Sequence, residues 1–416
     1  MKHFAACVLS ISIAACASTP ASLQMADAGW IESWSASPLP PSGEGSFFGA
    51  SPAFENQTIR QVVRLSAGGD QIRIRLTNEY GDAPLAVGAA TVALAGPDGA
   101  LASEAVPLTF SGSPSAVIRA HAPLVSDPVD LPTDALQSLS ISVYFPDDTG
   151  PCVCHLTGVQ TAYVSGPGDF TTSASFEPAS TLTQRAFLGG VDVLVGSEAK
   201  TIVAFGDSIT DGVGSTTDGD DRWPDQLADR LVARGGDVTF GVSNQGISGN
   251  RLLSGGAGVF GESILARFDR DVLGVPGAEY VILFIGVNDL GQGFGATGLP
   301  IAGLPQTEVS TEAMIAAYRQ VIERAHMGGL TIYGATIAPY GGATYWSEEG
   351  ESVRQAINTW IRESGEFDGV VDFDAAVRDP ANPVAMAGGL HMGDFLHGSP
   401  AGYEAMANAI DLSLFE

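Results

Sequence analysis

Four short segments in the second half of the chain concentrate residue types that nucleophilic catalysis uses. They are Gly206-Asp207-Ser208-Ile209-Thr210-Asp211-Gly212, Asn244-Gln245-Gly246-Ile247-Ser248-Gly249-Asn250, Gly286-Val287-Asn288-Asp289 and Asp394-Phe395-Leu396-His397. A serine hydroxyl is a weak nucleophile until a neighbouring imidazole accepts its proton. A carboxylate on the other ring nitrogen fixes the tautomer and orientation of that imidazole. Serine, histidine and aspartate are all present, the last two at three-residue spacing, which lets one loop present both. Such chemistry works only if distant segments meet at one place.

The surrounding pattern supplies that place. Apolar runs at Thr201–Phe205, Val238–Val242, Tyr280–Ile285, Leu330–Ile337 and Val370–Phe373 read as strands. Helical periodicity covers Trp223–Ala233, Ile264–Val272, Ser310–Ala325 and Glu351–Arg362, and Ser399-Pro400 starts a last helix as N-cap and first-turn proline. Strands alternating with helices predict a doubly wound α/β domain with a parallel sheet. Ligands bind such sheets beyond the carboxyl ends of the strands. Three of the four segments follow strands, and the fourth precedes the last helix. All four are expected at one rim.

Taken in this order, the segments resemble those of the SGNH (GDSL-type) hydrolase family. The resemblance covers residues 200–416 and implies an esterase with no cofactor and no metal. It maps the family's nucleophile onto Ser208 and its Asp-x-x-His pair onto Asp394 and His397. The oxyanion hole would comprise the amides of Ser208 and Gly249 and the side chain of Asn288. Preorganised donors of that kind are what a tetrahedral intermediate requires. The α/β-hydrolase elbow G-x-S-x-G is not matched, because Thr210 stands where its second glycine would be.

Simpler roles exist for each residue. Ser208 fits a helix N-cap, Asn288-Asp289 a turn, Gly249 a turn glycine, and Asp394 a loop cap. His391, Asp394 and His397 together make a metal-like spacing, which would leave Ser208, Gly249 and Asn288 unexplained. Asp207 is read as shaping the turn around Ser208. Arg222-Trp223-Pro224 is read as starting and packing a helix. His121, His155 and His326 lie outside the four segments.

Upstream the grammar differs. From Trp30 to Ser197, short alternating runs such as Gln71–Leu76 and Leu139–Phe145 are separated by turn signals at Gly68-Gly69-Asp70, Glu79–Asp82 and Gly96–Gly99. No long helix interrupts them, so residues 30–198 are expected to form an antiparallel β-sandwich, followed by the hydrolase-like domain at 199–416. The stretch Ser37–Pro52 reads as a surface loop. This region resembles the β-rich domain of some exported bacterial members of the family, and all chemistry is expected to reside in residues 199–416.

Residues 1–15 read as an export signal: a basic start at Met1-Lys2-His3 and an apolar run from Phe4 to Ala15, too short to span a bilayer. Ile13-Ala14-Ala15-Cys16 resembles a lipobox, which implies lipidation at Cys16 and a tethered periplasmic or surface protein. Cleavage after Ala17 would instead give a secreted one. Residues 16–29 then form a linker. Cys152 and Cys154 are either a disulfide or two free thiols; on a regular strand their Cα atoms would be about 6.6 Å apart, near the limit for bridging.

The chain of 416 residues carries 19 basic and 47 acidic side chains, a formal charge of −28. Such a surface repels phosphate backbones, so nucleic-acid binding is excluded as a main role. The expected function is an exported serine esterase acting on a small-molecule or glycan ester. Alternatives are a carbohydrate O-acetylesterase and, in another class, a catalytically dead glycan-binding surface protein.

Overall fold

The computed structural model describes residues 1, 29–46, 49–196, 198–255, 258–294 and 309–416. Residues 2–15 of the stretch read as an export signal, Cys16, and residue 197 at the expected domain junction lie outside the described residues. No helix among the described residues is long and apolar enough to cross a membrane.

The N-terminal region is antiparallel and β-rich. One sheet runs Trp30–Ser35, Leu188–Leu194, Gly69–Asn78, Ala122–Val125, with Val129–Thr133 also paired to Gly69–Asn78. The other runs Pro178–Leu182, Ala162–Pro167, Gln57–Arg64, Ser138–Phe145, Ala89–Leu94, Val106–Pro107. Alternation does the work here: Ile72, Ile74 and Leu76 point inward from the first sheet and meet Ile59, Val63, Leu139, Ile141 and Val143 of the second. Gly69 and Asp70, expected in a turn, already belong to the strand.

One local expectation needs correction, and one left open is decided. Ser37 to Leu39 is buried and not surface loop. Ser37 Oγ donates to Gln245 Oε1 at 2.6 Å, and Leu39 N donates to Cys154 O at 3.2 Å, which draws the chain inward. Cys152 and Cys154 form a disulfide. Only Cys154–His155 is strand, so the chain is less than fully extended between the two cysteines and their Cα atoms are 5.3 Å apart.

The C-terminal region holds a five-stranded parallel sheet in the order Thr239–Gly246, Ala199–Gly206, Ala278–Phe284, Thr331–Ala335, Gly369–Val371. Helices Trp223–Arg234, Thr311–Met327, Glu348–Glu363 and Pro400–Ala409 bury apolar faces in the cluster that surrounds this sheet. The helix expected over 264–272 is α-helical only to Phe268. It continues as a π-turn, with Gly274 N donating to Asp269 O at 2.8 Å, five residues back. Strand register aligns the central strands at their carboxyl ends: Gly206 pairs with Gly246 on one side and Phe284 on the other. Three strand ends are therefore level, and the segments after them leave the sheet at one rim.

The two regions meet through a buried polar network. Ser35 Oγ and Ser243 Oγ are 2.9 Å apart, and Gln245 Nε2 donates to Glu32 Oε2 at 3.1 Å. Arg75 pairs with the other oxygen of Glu32, at the strand edge facing the parallel sheet. Ile247 of the second half packs into the apolar cluster of the first.

Candidate active site

Where strand Ala199–Gly206 ends, Asp207 caps the short helix Ser208–Asp211 by accepting from Ile209 N at 3.0 Å. Ser208 is thus the first helical residue and not the cap that its type alone allowed. Its side chain meets a histidine from far along the chain. His397 Nε2 lies 2.8 Å from Ser208 Oγ, across 189 positions of sequence.

The loop before the last helix fixes that histidine. His391 and Gly398 form an isolated bridge, and Met392 N donates to His397 O at 2.9 Å, so residues 391–398 close on themselves. Inside this loop Asp394 Oδ1 accepts from the amides of Leu396 and His397, both at 3.0 Å. Oδ2 is left for His397 Nδ1 at 2.6 Å. Burial raises the Asp394 carboxyl, but the hydrogen bond and charge of His397, with the two amides, outweigh it and hold the pKa at about 2. The carboxylate is ionised throughout the neutral range. His391 turns Nδ1 to the amides of Gly393 and Phe395 at 3.1 and 3.3 Å, so it serves the loop.

The second and third segments flank the serine. Gly249 sits at φ +77°, and a Cβ there would lie 2.1 Å from the Phe260 ring, so both conformation and space demand glycine. Neither the Ser208 nor the Gly249 amide has an acceptor among the described residues. Asn288 spends one side-chain N–H on Asn250 O at 3.0 Å and accepts from Tyr345 OH at 3.3 Å, which leaves its second N–H. Gly286, at φ +126°, turns the chain into helix Val287–Gly293, whose first turn carries Asn288. Asp289 is no mere turn residue: its two oxygens accept from Leu252 N and Leu253 N at 2.8 and 2.9 Å and clamp the loop after Gly249.

Further buried residues, inside and outside the four segments, hold them together. Arg267, fully buried, donates to Gly206 O at 2.8 Å, Gln245 O at 2.8 Å and Asn250 Oδ1 at 3.1 Å, with Asp271 as its ion-pair partner at 2.8 Å. Asp211 accepts from Ser248 N at 2.9 Å and Ser248 Oγ at 2.6 Å, and His155 Nε2 lies 2.8 Å from its other oxygen. The sequence pattern gave no role to Arg267 or His155, and none to Asp211 beyond its place in the first segment. The Arg267–Asp271 spacing of four on a helix was the one local signal available. Burial pushes the Asp207 carboxyl up to about 7 and that of Asp289 up to about 6, so the floor beneath the serine carries less negative charge than its composition implies.

The arrangement can activate a hydroxyl, hold the resulting imidazolium against a carboxylate, and present N–H donors beside the nucleophile. Residues 204–405 match the model of the GDSL-like Lipase/Acylhydrolase family. Among curated proteins, none matches this chain in sequence. Solved structures similar to it include Axe2, an acetylxylan esterase from Geobacillus stearothermophilus (22% identity, TM-score 0.37, 50% of this chain and 91% of that one). Another is the lipase/acylhydrolase from Enterococcus faecalis (18% identity, TM-score 0.35, 50% of this chain and 92% of that one). A third is the acetyl xylan esterase AlAXEase (19% identity, TM-score 0.38, 50% of this chain and 96% of that one).

Proposed function

We propose that this chain, whose residues 204–405 belong to the GDSL-like lipase/acylhydrolase family, is a serine esterase that hydrolyses carboxylic esters through Ser208, His397 and Asp394. The observation that carries this reading is His397, with one ring nitrogen 2.8 Å from Ser208 Oγ and the other 2.6 Å from Asp394 Oδ2. Ser208 Oγ attacks the ester carbonyl while His397 Nε2 takes its proton, and Asp394 stabilises the imidazolium. The oxygen that becomes negative is met by the amides of Ser208 and Gly249 and by the remaining N–H of Asn288. Collapse of the intermediate expels the alcohol, which takes the proton from His397. A water, deprotonated by His397, then attacks the acyl-serine, and the carboxylic acid leaves with Ser208 restored.

The test is turnover of p-nitrophenyl acetate, simple alkyl esters and O-acetylated carbohydrates by the full chain and by Ser208→Ala. Hydrolysis that vanishes with Ser208 supports the esterase. Preference for the acetylated carbohydrates would narrow it to an O-acetylesterase. No turnover of any ester by folded wild type would instead favour a binding protein.

A further inference from the structure

We propose that the β-rich region supplies a positioning residue, His155, which acts through Asp211 on both sides of the proposed oxyanion site. The inference rests on the serine-esterase reading above and extends it beyond residues 199–416.

Asp211 ends the one-turn helix that begins at Ser208, so its backbone moves with the nucleophile. Its Oδ2 accepts the amide and hydroxyl of Ser248, the residue before Gly249. One carboxylate therefore ties the helix bearing Ser208 to the turn bearing Gly249, the two backbone donors named above. Left with only these partners, Oδ1 would be a buried charged acceptor, and Asp211 is only 2% exposed. His155 meets it at 2.8 Å.

His155 is itself held on three sides. Its Nδ1 lies 3.0 Å from Ser37 O, so an oxygen stands at each ring nitrogen and fixes the plane of the imidazole. The disulfide partner Cys154 precedes it, and Arg185 pairs with it across a short two-stranded ladder. Thr157 Oγ1, two residues on, lies 2.8 Å from Ser248 Oγ, a second contact from the same segment to the same turn. The segment 154–157 thus grips Asp211 and Ser248 together. Displacing a catalytic group by about 1 Å can cost about a hundredfold in rate. A clamp on both donors is suited to preventing such a shift.

The experiment compares His155→Ala, His155→Gln and His155→Asn in the full chain. It uses p-nitrophenyl acetate turnover and counts competent serines with a fluorophosphonate probe. The Gln amide nitrogen reaches the position of Nε2, whereas the Asn amide reaches only that of Nδ1. We expect Ala and Asn to lower kcat per titrated serine by about tenfold or more with KM nearly unchanged, and Gln to recover most of it. A purely structural role would reduce the number of competent serines without ranking Gln above Asn. Equal behaviour of Gln and Asn, or an unchanged kcat per titrated serine in Ala, overturns the proposal. If Ala does not fold, the Gln–Asn pair decides. His121→Gln, at an exposed site in the same region, is the control and leaves kcat unchanged. Ser208→Ala separates the two readings: retained turnover there defeats the serine esterase, whereas its loss beside a normal His155→Ala defeats only the clamp.

Discussion

Arg267 reaches the last carbonyl of strand Ala199–Gly206, Gly206 O, at 2.8 Å, two residues before the serine. The same guanidinium takes Gln245 O from the neighbouring strand, so it buttons two strand ends together beneath the site. Arg267→Met removes those bonds and leaves Asp271 with only Arg270 as an ion-pair partner. Breaking a buried pair in this way costs about 3–5 kcal/mol. Urea unfolding should show a loss of that size, and kcat should fall with it. A stability within about 0.5 kcal/mol of wild type would mean the buttoning is redundant.

Ser208→Ala and His397→Ala should each lower kcat by about 10⁴–10⁶, against about 10²–10³ for Asn288→Ala. Circular dichroism and melting temperature should stay close to wild type for Ser208→Ala. A tenth of the activity surviving in that folded variant would defeat the mechanism. Chelators are expected to leave the rate unchanged, and recovery of EDTA-treated enzyme by zinc would redirect attention to His391, Asp394 and His397.

Gly249→Ala places a Cβ 2.1 Å from the Phe260 ring at φ +77°. The turn must move, and the Gly249 amide moves with it. We expect kcat to fall by about 10²–10³ with a smaller change in KM. The obstacle is partly a side chain, so Phe260→Ala added to Gly249→Ala should restore some of the loss. No recovery in the double variant would assign the whole effect to the backbone angle.

Stability should depend on pH through Asp207. Burial raises its folded pKa to about 7, against about 3.9 in an unfolded chain. The folded state therefore binds the proton more tightly, and this contribution is complete below about pH 4 and lost as pH rises through about 7. Asp207→Asn keeps a side chain that caps equally well and cannot ionise. Its melting temperature should gain on wild type between pH 5 and 8 and show no gain below pH 4. Asp394 has the opposite sign: its pKa of about 2 stabilises above about pH 4, and that stabilisation fades as pH falls towards 2. Parallel curves for wild type and Asp207→Asn across pH 4–8 would contradict the assignment.

Much of this protein is written locally. The parallel sheet follows from apolar runs alternating with helical periods, and the two-residue alternation of Gln71–Leu76 follows from one face meeting a core. The pair Asp394 and His397 was legible because three-residue spacing confines both to one loop. Glycine and polar residues after three of the strands mark the rim where the site forms.

Other features depend on contacts that no local pattern encodes. Level strand ends require a register, Gly206 opposite Gly246 and Phe284, and register is a property of pairs of segments. The Cys152–Cys154 bridge depended on a backbone less extended than a regular strand. His155 looked like a stray histidine in a β-rich stretch, and its meeting with Asp211 spans 56 positions. A buried carboxylate needs its lone pairs met, but the chain does not record locally which donor will arrive. Residue type and spacing determined which chemistry this protein carries parts for. The folded structure alone decided which buried groups hold those parts in place, because packing joins residues that sequence keeps apart.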